Sequence, residues 1–247
     1  MENRKGSGIF LGVVSVATLV VAIIGATFAY FSASASSEEG AIGATAYEFD
    51  VKVTEIKMIQ PGNVDNLGGI IPMNVNTQVS GKGMLLYALN DAAQKCVDSN
   101  NYQVCALYEA TLSNGGSQEV TLNLTVKTDT NVAGSGGEAF SDLTFQALTK
   151  NTENTETIGT YSLNGTAKTL KTTPGESVDI ENVSINVPAK TPDYKHYFVV
   201  YLNEPRNNED TDAKDQSKQM GAKYTGSLIY TTSQGGNRLT GTFNVGV

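Results

Sequence analysis

The chain has 247 residues, enough for one β-sandwich with a substantial core. Its 25 acidic against 17 basic residues give a formal net charge of -8, which disfavours binding to nucleic acid or to an anionic membrane surface. A single His, no Trp and an abundance of Gly, Ser, Thr and Asn describe a turn-rich β protein with little material for acid–base chemistry.

The N-terminus begins with Glu2, Arg4 and Lys5, and no charged residue follows from Gly6 to Ser37. Within that stretch residues 9–31 are almost continuously apolar, a length sufficient to span a bilayer. Thr27 and Ala29, separated by Phe28, are the small side chains that the shallow pockets of a signal peptidase accept, so cleavage before Tyr30 is expected. Ala33 and Ala35 offer a second site just downstream. The alternative is an uncleaved membrane anchor formed by the same apolar run. Either way the remainder of the chain is expected outside the cytoplasm, at the cell surface or beyond it.

The stretch Gly25-Ala-Thr-Phe-Ala-Tyr-Phe31 resembles the signal-peptide end of the TasA/camelysin family, whose members are processed by a dedicated SipW-type signal peptidase. In that family a Gly-rich apolar segment runs into a small-aromatic-Ala site followed by Phe. A polar stretch and a first strand entered through Gly come next, here Ser32 to Glu39 and then Gly43 leading to Tyr47–Val53. The Tyr108–Asn114 strand and turn and the Thr240–Phe243 ending are weaker echoes of the same pattern. The resemblance implies a signal peptide over residues 1–29, a mature N-terminal segment over 30–46 and a β-sandwich domain over 47–247. It further implies a self-assembling subunit of biofilm matrix fibres, joined by a strand that one copy lends to the next. Phe31, Ala33 and Ala35 alternate with Tyr30, Ser32, Ser34 and Ser36, and so present one face of such a candidate donor strand. The opposing reading of this Ser- and Ala-rich segment is a flexible tether.

Beyond the N-terminus the chain reads as all-β, an antiparallel β-sandwich or jelly-roll with one short helix. Apolar and polar residues alternate over Tyr47–Val53, Val120–Lys127, Val183–Val187 and Leu239–Val247. Phe140–Leu148 and Tyr224–Thr232 are further strands. Tyr197–Leu202 is apolar on both faces and is expected to be a central, doubly covered strand. Asn114-Gly-Gly, Gly134-Ser-Gly-Gly, Asn164-Gly, Pro174-Gly and Gly235-Gly-Asn read as turns. Leu85, Leu86, Ala88, Leu89, Ala92 and Ala93 have helical spacing, predicting a helix within Met84–Lys95 on one edge of the sandwich. Residues 203–219 are charged and polar and are expected to form a mobile loop.

Cys96 and Cys105 bracket an Asn-rich turn and, in an exported chain, predict a disulfide that staples it. A structural zinc needs four ligands, and two Cys with the lone His196 fall short. The camelysin name carries a metallo-endopeptidase label, but no His-Glu-x-x-His helix is present and His196 reads as a packed strand residue. Asp210, Asp212 and Asp215, in the acidic loop 204–218, lack the Gly and closing Glu of a known calcium loop, and Asp98 with Asn100 fails likewise. No catalytic residue, metal or cofactor is assigned, and the chain is not expected to be an enzyme. The alternatives are a membrane-anchored surface adhesin, with Tyr194, Tyr197 and Tyr201 as contact residues, and a pilin-like subunit cleaved after Gly6. Leu11 stands where pilins usually carry Glu, and the chain closes on a strand pattern at Val247 in place of a sorting signal.

Overall fold

The computed structural model describes residues 50–59, 70–90, 96–98, 100, 102–153, 160–204, 216–233 and 238–246. The chain divides into a unit Met1–Tyr47 and a unit Glu48–Val247, and every described residue belongs to the second. The cleavage residues Thr27, Ala29 and Tyr30, the donor-strand residues Phe31, Ala33 and Ala35, the apolar run 9–31, and Asp210, Asp212 and Asp215 lie outside the described residues.

Two antiparallel sheets face one another as a sandwich. One has five strands: β1 (Val51–Met58), β4 (Cys105–Asn114), β9 (Thr191–Leu202), β6 (Leu143–Lys150) and β7 (Tyr161–Thr169), in that spatial order. The other has four: β11 (Arg238–Val245), β10 (Lys223–Thr232), β5 (Val120–Val132) and β8 (Ser177–Val187). A two-residue hairpin, β2 (Gln78–Val79) with β3 (Lys82–Gly83), leads into the helix α1 (Met84–Asn90). Among the described residues α1 is the α-helix that the sequence pattern predicts. It packs on the outer face of the five-stranded sheet, with its end against that sheet's edge strand β7.

Alternation explains the core. Val120, Leu122, Leu124 and Val126 of β5 are buried while the intervening residues are half-buried or exposed. They meet Tyr108, Ala110, Leu112, Phe145, Phe198 and Val200 of the opposite sheet in the inter-sheet core. Rings stack there: Phe198 lies 4.8 Å from Tyr108 and 5.0 Å from Phe145, centroid to centroid, with the edge of Phe243 at 5.5 Å. A second apolar layer covers the outer face of the five-stranded sheet, where Leu107, Tyr161, Tyr197, Val199 and Tyr201 pack beneath Leu85, Ala88 and Leu89 of α1 and beneath Cys96. This double cover is why Tyr197–Leu202 is apolar at every position, as the sequence pattern predicts.

Asn114-Gly-Gly is a turn held by a buried amide: Asn114 Nδ2 donates to the carbonyls of Gln118, Val187 and Pro188, and its Oδ1 accepts from Gly116 N–H. Gly137 and Gly175, both with positive φ, close the Gly134 and Pro174 turns. Asn164-Gly is not a turn. Gly165, at φ 68°, sits inside β7 at a bulge where the register against β6 shifts between Phe145 and Ala147. Gly235-Gly-Asn falls outside the described residues. Within the acidic segment, residues 205–215 also lie outside them, but Gln216 and Gln219 are buried at a 3₁₀ turn, Ser217–Gln219.

Candidate functional site: an open strand edge and an apolar groove

The strands define two ends of the sandwich. At one, called here the base, Val51 pairs with Asn114, Asn114 with Thr191, and Val120 with Val187. At the other, the top, Cys105 pairs with Tyr201, Leu143 with Leu202, and Lys223 with Val132. The ten residues of β4 separate the two by roughly 30 Å at the usual strand rise.

At the base the five-stranded sheet is split. β4 pairs with β9 from Thr191 to Tyr201, but β6 pairs with it only from Tyr197 to Leu202. The second edge of Thr191–His196 therefore has no strand partner among the described residues. Leu148, the last β6 residue paired with β9, and Tyr161, the first residue of β7, pack outward with Tyr197 and Leu89. Asn90, at the end of α1, then holds Tyr161 like a strand partner: its Nδ2 donates to Tyr161 O at 2.9 Å, and Tyr161 N–H donates to its Oδ1 at 2.8 Å. β6 itself ends two residues beyond Leu148, at Lys150, and does not run along the first half of β9.

A cavity of about 190 Å³ fills the split, lined by Leu148, Asn164, Ser184, Ile185, Tyr194 and His196 among others. His196 is buried on the inner face of β9, where its Nδ1 shares a hydrogen bond of 3.0 Å with the Tyr230 hydroxyl of the opposite sheet. Its Nε2 is buried without a partner. Burial pushes the imidazole pKa down to about 4, so the ring is neutral at physiological pH. Burial also pushes the Tyr230 phenol far up. This packed His is what the lone-His reading of the sequence expects; the orphaned nitrogen beside a cavity is what the sequence does not reveal.

Just outside the split, Glu109 of β4 lies 3.2 Å from both Lys57 and Lys195. Burial pushes its carboxyl up, but hydrogen bonds from Lys57, Lys195 and Tyr197 and the Lys195 charge outweigh that and hold it below the usual range. Tyr197 and Tyr201 are buried in the outer layer and Tyr194 is half-buried, so these three do not form an exposed aromatic platform.

The top carries a different feature, an apolar groove of about 370 Å³ walled by Ile70, Pro72, Phe140, Leu202, Met220 and Ala222, with Gln216 among its polar lining. Met220 stands 65% exposed on its rim. The Cys96–Cys105 disulfide forms at this end, with both cysteines buried. Asp98 closes the stapled loop through its Oδ1, which accepts from the N–H groups of Asn100 and Tyr102. Disulfides of this kind form and persist in oxidising compartments. Among the described residues no group of three or more His, Cys, Asp or Glu side chains converges on a point, and no helix is long and apolar enough to cross a membrane.

No protein-family model and no curated protein matches the chain. Among solved structures, a FixG-related protein from Vibrio parahaemolyticus is similar over 58% of this chain and 80% of that one, with 13% identity and a TM-score of 0.23. A family 123 glycoside hydrolase from Clostridium perfringens is similar over 57% of this chain and 20% of that one, with 14% identity and a TM-score of 0.24. Neither likeness bears on function.

Proposed function

We propose that the chain is an exported structural subunit of extracellular matrix fibres, assembling by strand addition at the cell surface. The observation that supports this reading is the unpaired edge of Thr191–His196, which borders a cavity in the middle of a sheet. Unpaired backbone N–H and C=O groups at a sheet edge are a template for another strand. The N-terminal segment resembling that of the TasA/camelysin family supplies one of suitable character. Its Phe31, Ala33 and Ala35 alternate with Ser and Tyr, and Tyr30–Ser37 is long enough to cover the six open residues. Small side chains suit a cavity of this size, and Phe31 is the anchor. Pairing with a second copy makes a head-to-tail contact, and such contacts generate open filaments when their rotation does not close.

The test is a variant lacking Tyr30–Ser37, secreted and examined by electron microscopy and size-exclusion chromatography. The expected result is a folded monomer that forms no fibres. Fibres of normal length from the truncated protein would falsify the reading. Mass measurement of the secreted wild type should also give a chain starting at Tyr30; a chain starting at Met1 points to the anchored surface protein instead.

A further inference from the structure

The split in the five-stranded sheet has one closed end and one open end. Leu148 of β6 pairs with Tyr197 and closes it, while Thr191–His196 runs from there to the base with no second strand partner among the described residues. Thr149 and Lys150, the last residues of β6, line the cavity together with Tyr194 and His196. A chain that enters along β9 from the base cannot continue past the far end, because the next place beside β9 is taken by β6.

The backbone of β9 sets what such a chain meets. Asn203 N–H donates to Asp142 O, on the β6 side of the strand. Residues two apart in a strand turn their main-chain polar groups to the same side, and β9 is in regular register from Tyr194 to Leu202. Lys195 N–H and C=O therefore face the split, whereas those of Tyr194 and His196 face β4. A strand added here bonds Lys195 and sets its own residues opposite His196 and Tyr194 in non-hydrogen-bonded pairs, where facing side chains come closest. His196 lies on the inner face, so the residue opposite it also points inward, to the cavity.

The direction of the strand follows from the closed end. Running parallel to β9, Tyr30–Ser37 would start at the base, and everything after Ser37 would have to pass through β6. Running antiparallel, it has its own terminus at the closed end and leaves at the base, where solvent is open. Only Tyr30 then precedes Phe31, whose ring is the one large side chain of the inward set Phe31, Ala33 and Ala35.

We propose that the segment lent by a second copy enters antiparallel to β9, free N-terminus first, and places Phe31 opposite His196. This rests on the strand-addition reading and adds its orientation, its register and its condition: the chain must begin at or next to Tyr30, so an N-terminal extension blocks assembly although it leaves the sandwich untouched.

The experiment compares the mature protein with one carrying Gly-Ser-Gly-Ser before Tyr30, read by electron microscopy and sedimentation. The extended protein should stay monomeric, with fibre yield down at least about tenfold. Normal fibres from it overturn the orientation; normal fibres from the protein lacking Tyr30–Ser37 overturn strand addition itself, so the two failures are distinct. Register is read by mixing a His196→Cys protein with either a Phe31→Cys or an Ala35→Cys protein under mild oxidation, with mass spectrometry of the cross-linked peptides. The mixed disulfide should form through position 31 and not through position 35. Cross-linking through position 35, or through neither, overturns the proposal. If His196→Cys does not fold, the extended protein decides alone.

Discussion

The two halves of β9 differ in composition and in surroundings, TPDYKH against YFVVYL. Tyr197–Leu202 has a strand on each side and an apolar layer on each face, whereas Thr191–His196 has a strand on one side and a cavity on the other. Both halves are strand because both pair with β4. What differs is whether β6 lies alongside: its last pair with β9 is Leu148 with Tyr197, and the strand ends two residues later at Lys150.

The largest expected effect breaks the closed half. Phe198 is fully buried and touches the rings of Tyr108, Phe145 and Phe243. Phe198→Ala removes that stack and leaves a cavity, for a loss of about 3–5 kcal/mol in urea unfolding. A loss under about 1 kcal/mol would mean that the two aromatic layers are not a single core.

The closed half was the legible half. The alternation of Val120–Val126 and the doubly apolar run Tyr197–Leu202 mark a central strand and its facing sheet, because burial leaves a direct trace in side-chain type. Cys96 and Cys105 likewise announce their disulfide, by their spacing in a chain read as exported. The open half leaves only a partial trace, since Pro192, Asp193 and Lys195 mark a strand end that is not covered on both faces. Pairing is non-local, and nothing in Thr191–His196 records that a strand distant in sequence makes its last pair with β9 at Leu148. Asn164-Gly was misleading for a related reason: a glycine at positive φ serves a bulge as well as a turn, and local sequence does not distinguish them.

The next effect is set at the junction of the halves. His196 is neutral and buried, and burial lowers its pKa from the ordinary 6.5 to about 4. Between those values the unfolded chain binds a proton that the folded chain refuses, so stability is full above pH 6.5 and falls as the pH drops towards 4. The loss reaches about 3 kcal/mol at most, at 1.36 kcal/mol per pH unit. Carboxylates such as Glu109 also lose their stabilisation on acidification, so the informative quantity is a difference. Urea unfolding across this pH range should show a shallower slope in His196→Phe than in wild type. Identical slopes would mean that the imidazole reaches water through the cavity.

At the far end of the closed half, Cys105 pairs with Tyr201 while its disulfide tethers Cys96 across a nine-residue separation. Reduction should cost about 2–3 kcal/mol in the loop-entropy model. That loss is read as a lower denaturation midpoint in dithiothreitol. Because the staple lies at the top, fibre formation should survive mild reduction so long as the protein remains folded.

The smallest effect, and the one most specific to the comparison, is local. Amide exchange in the monomer measures opening residue by residue. In Tyr197–Leu202 the backbone is sandwiched between β4 and β6, so its amides should exchange only on global unfolding. In Thr191–His196, those N–H groups that point away from β4 have no acceptor strand among the described residues and should exchange much faster, in an every-other-residue pattern. Pro192 contributes no amide. Uniform protection along all of β9 would mean that the edge is already occupied within a single chain. If the protection of those alternate amides instead rises on fibre formation, while that of Tyr197–Leu202 stays constant, the added strand lies where the sheet is split.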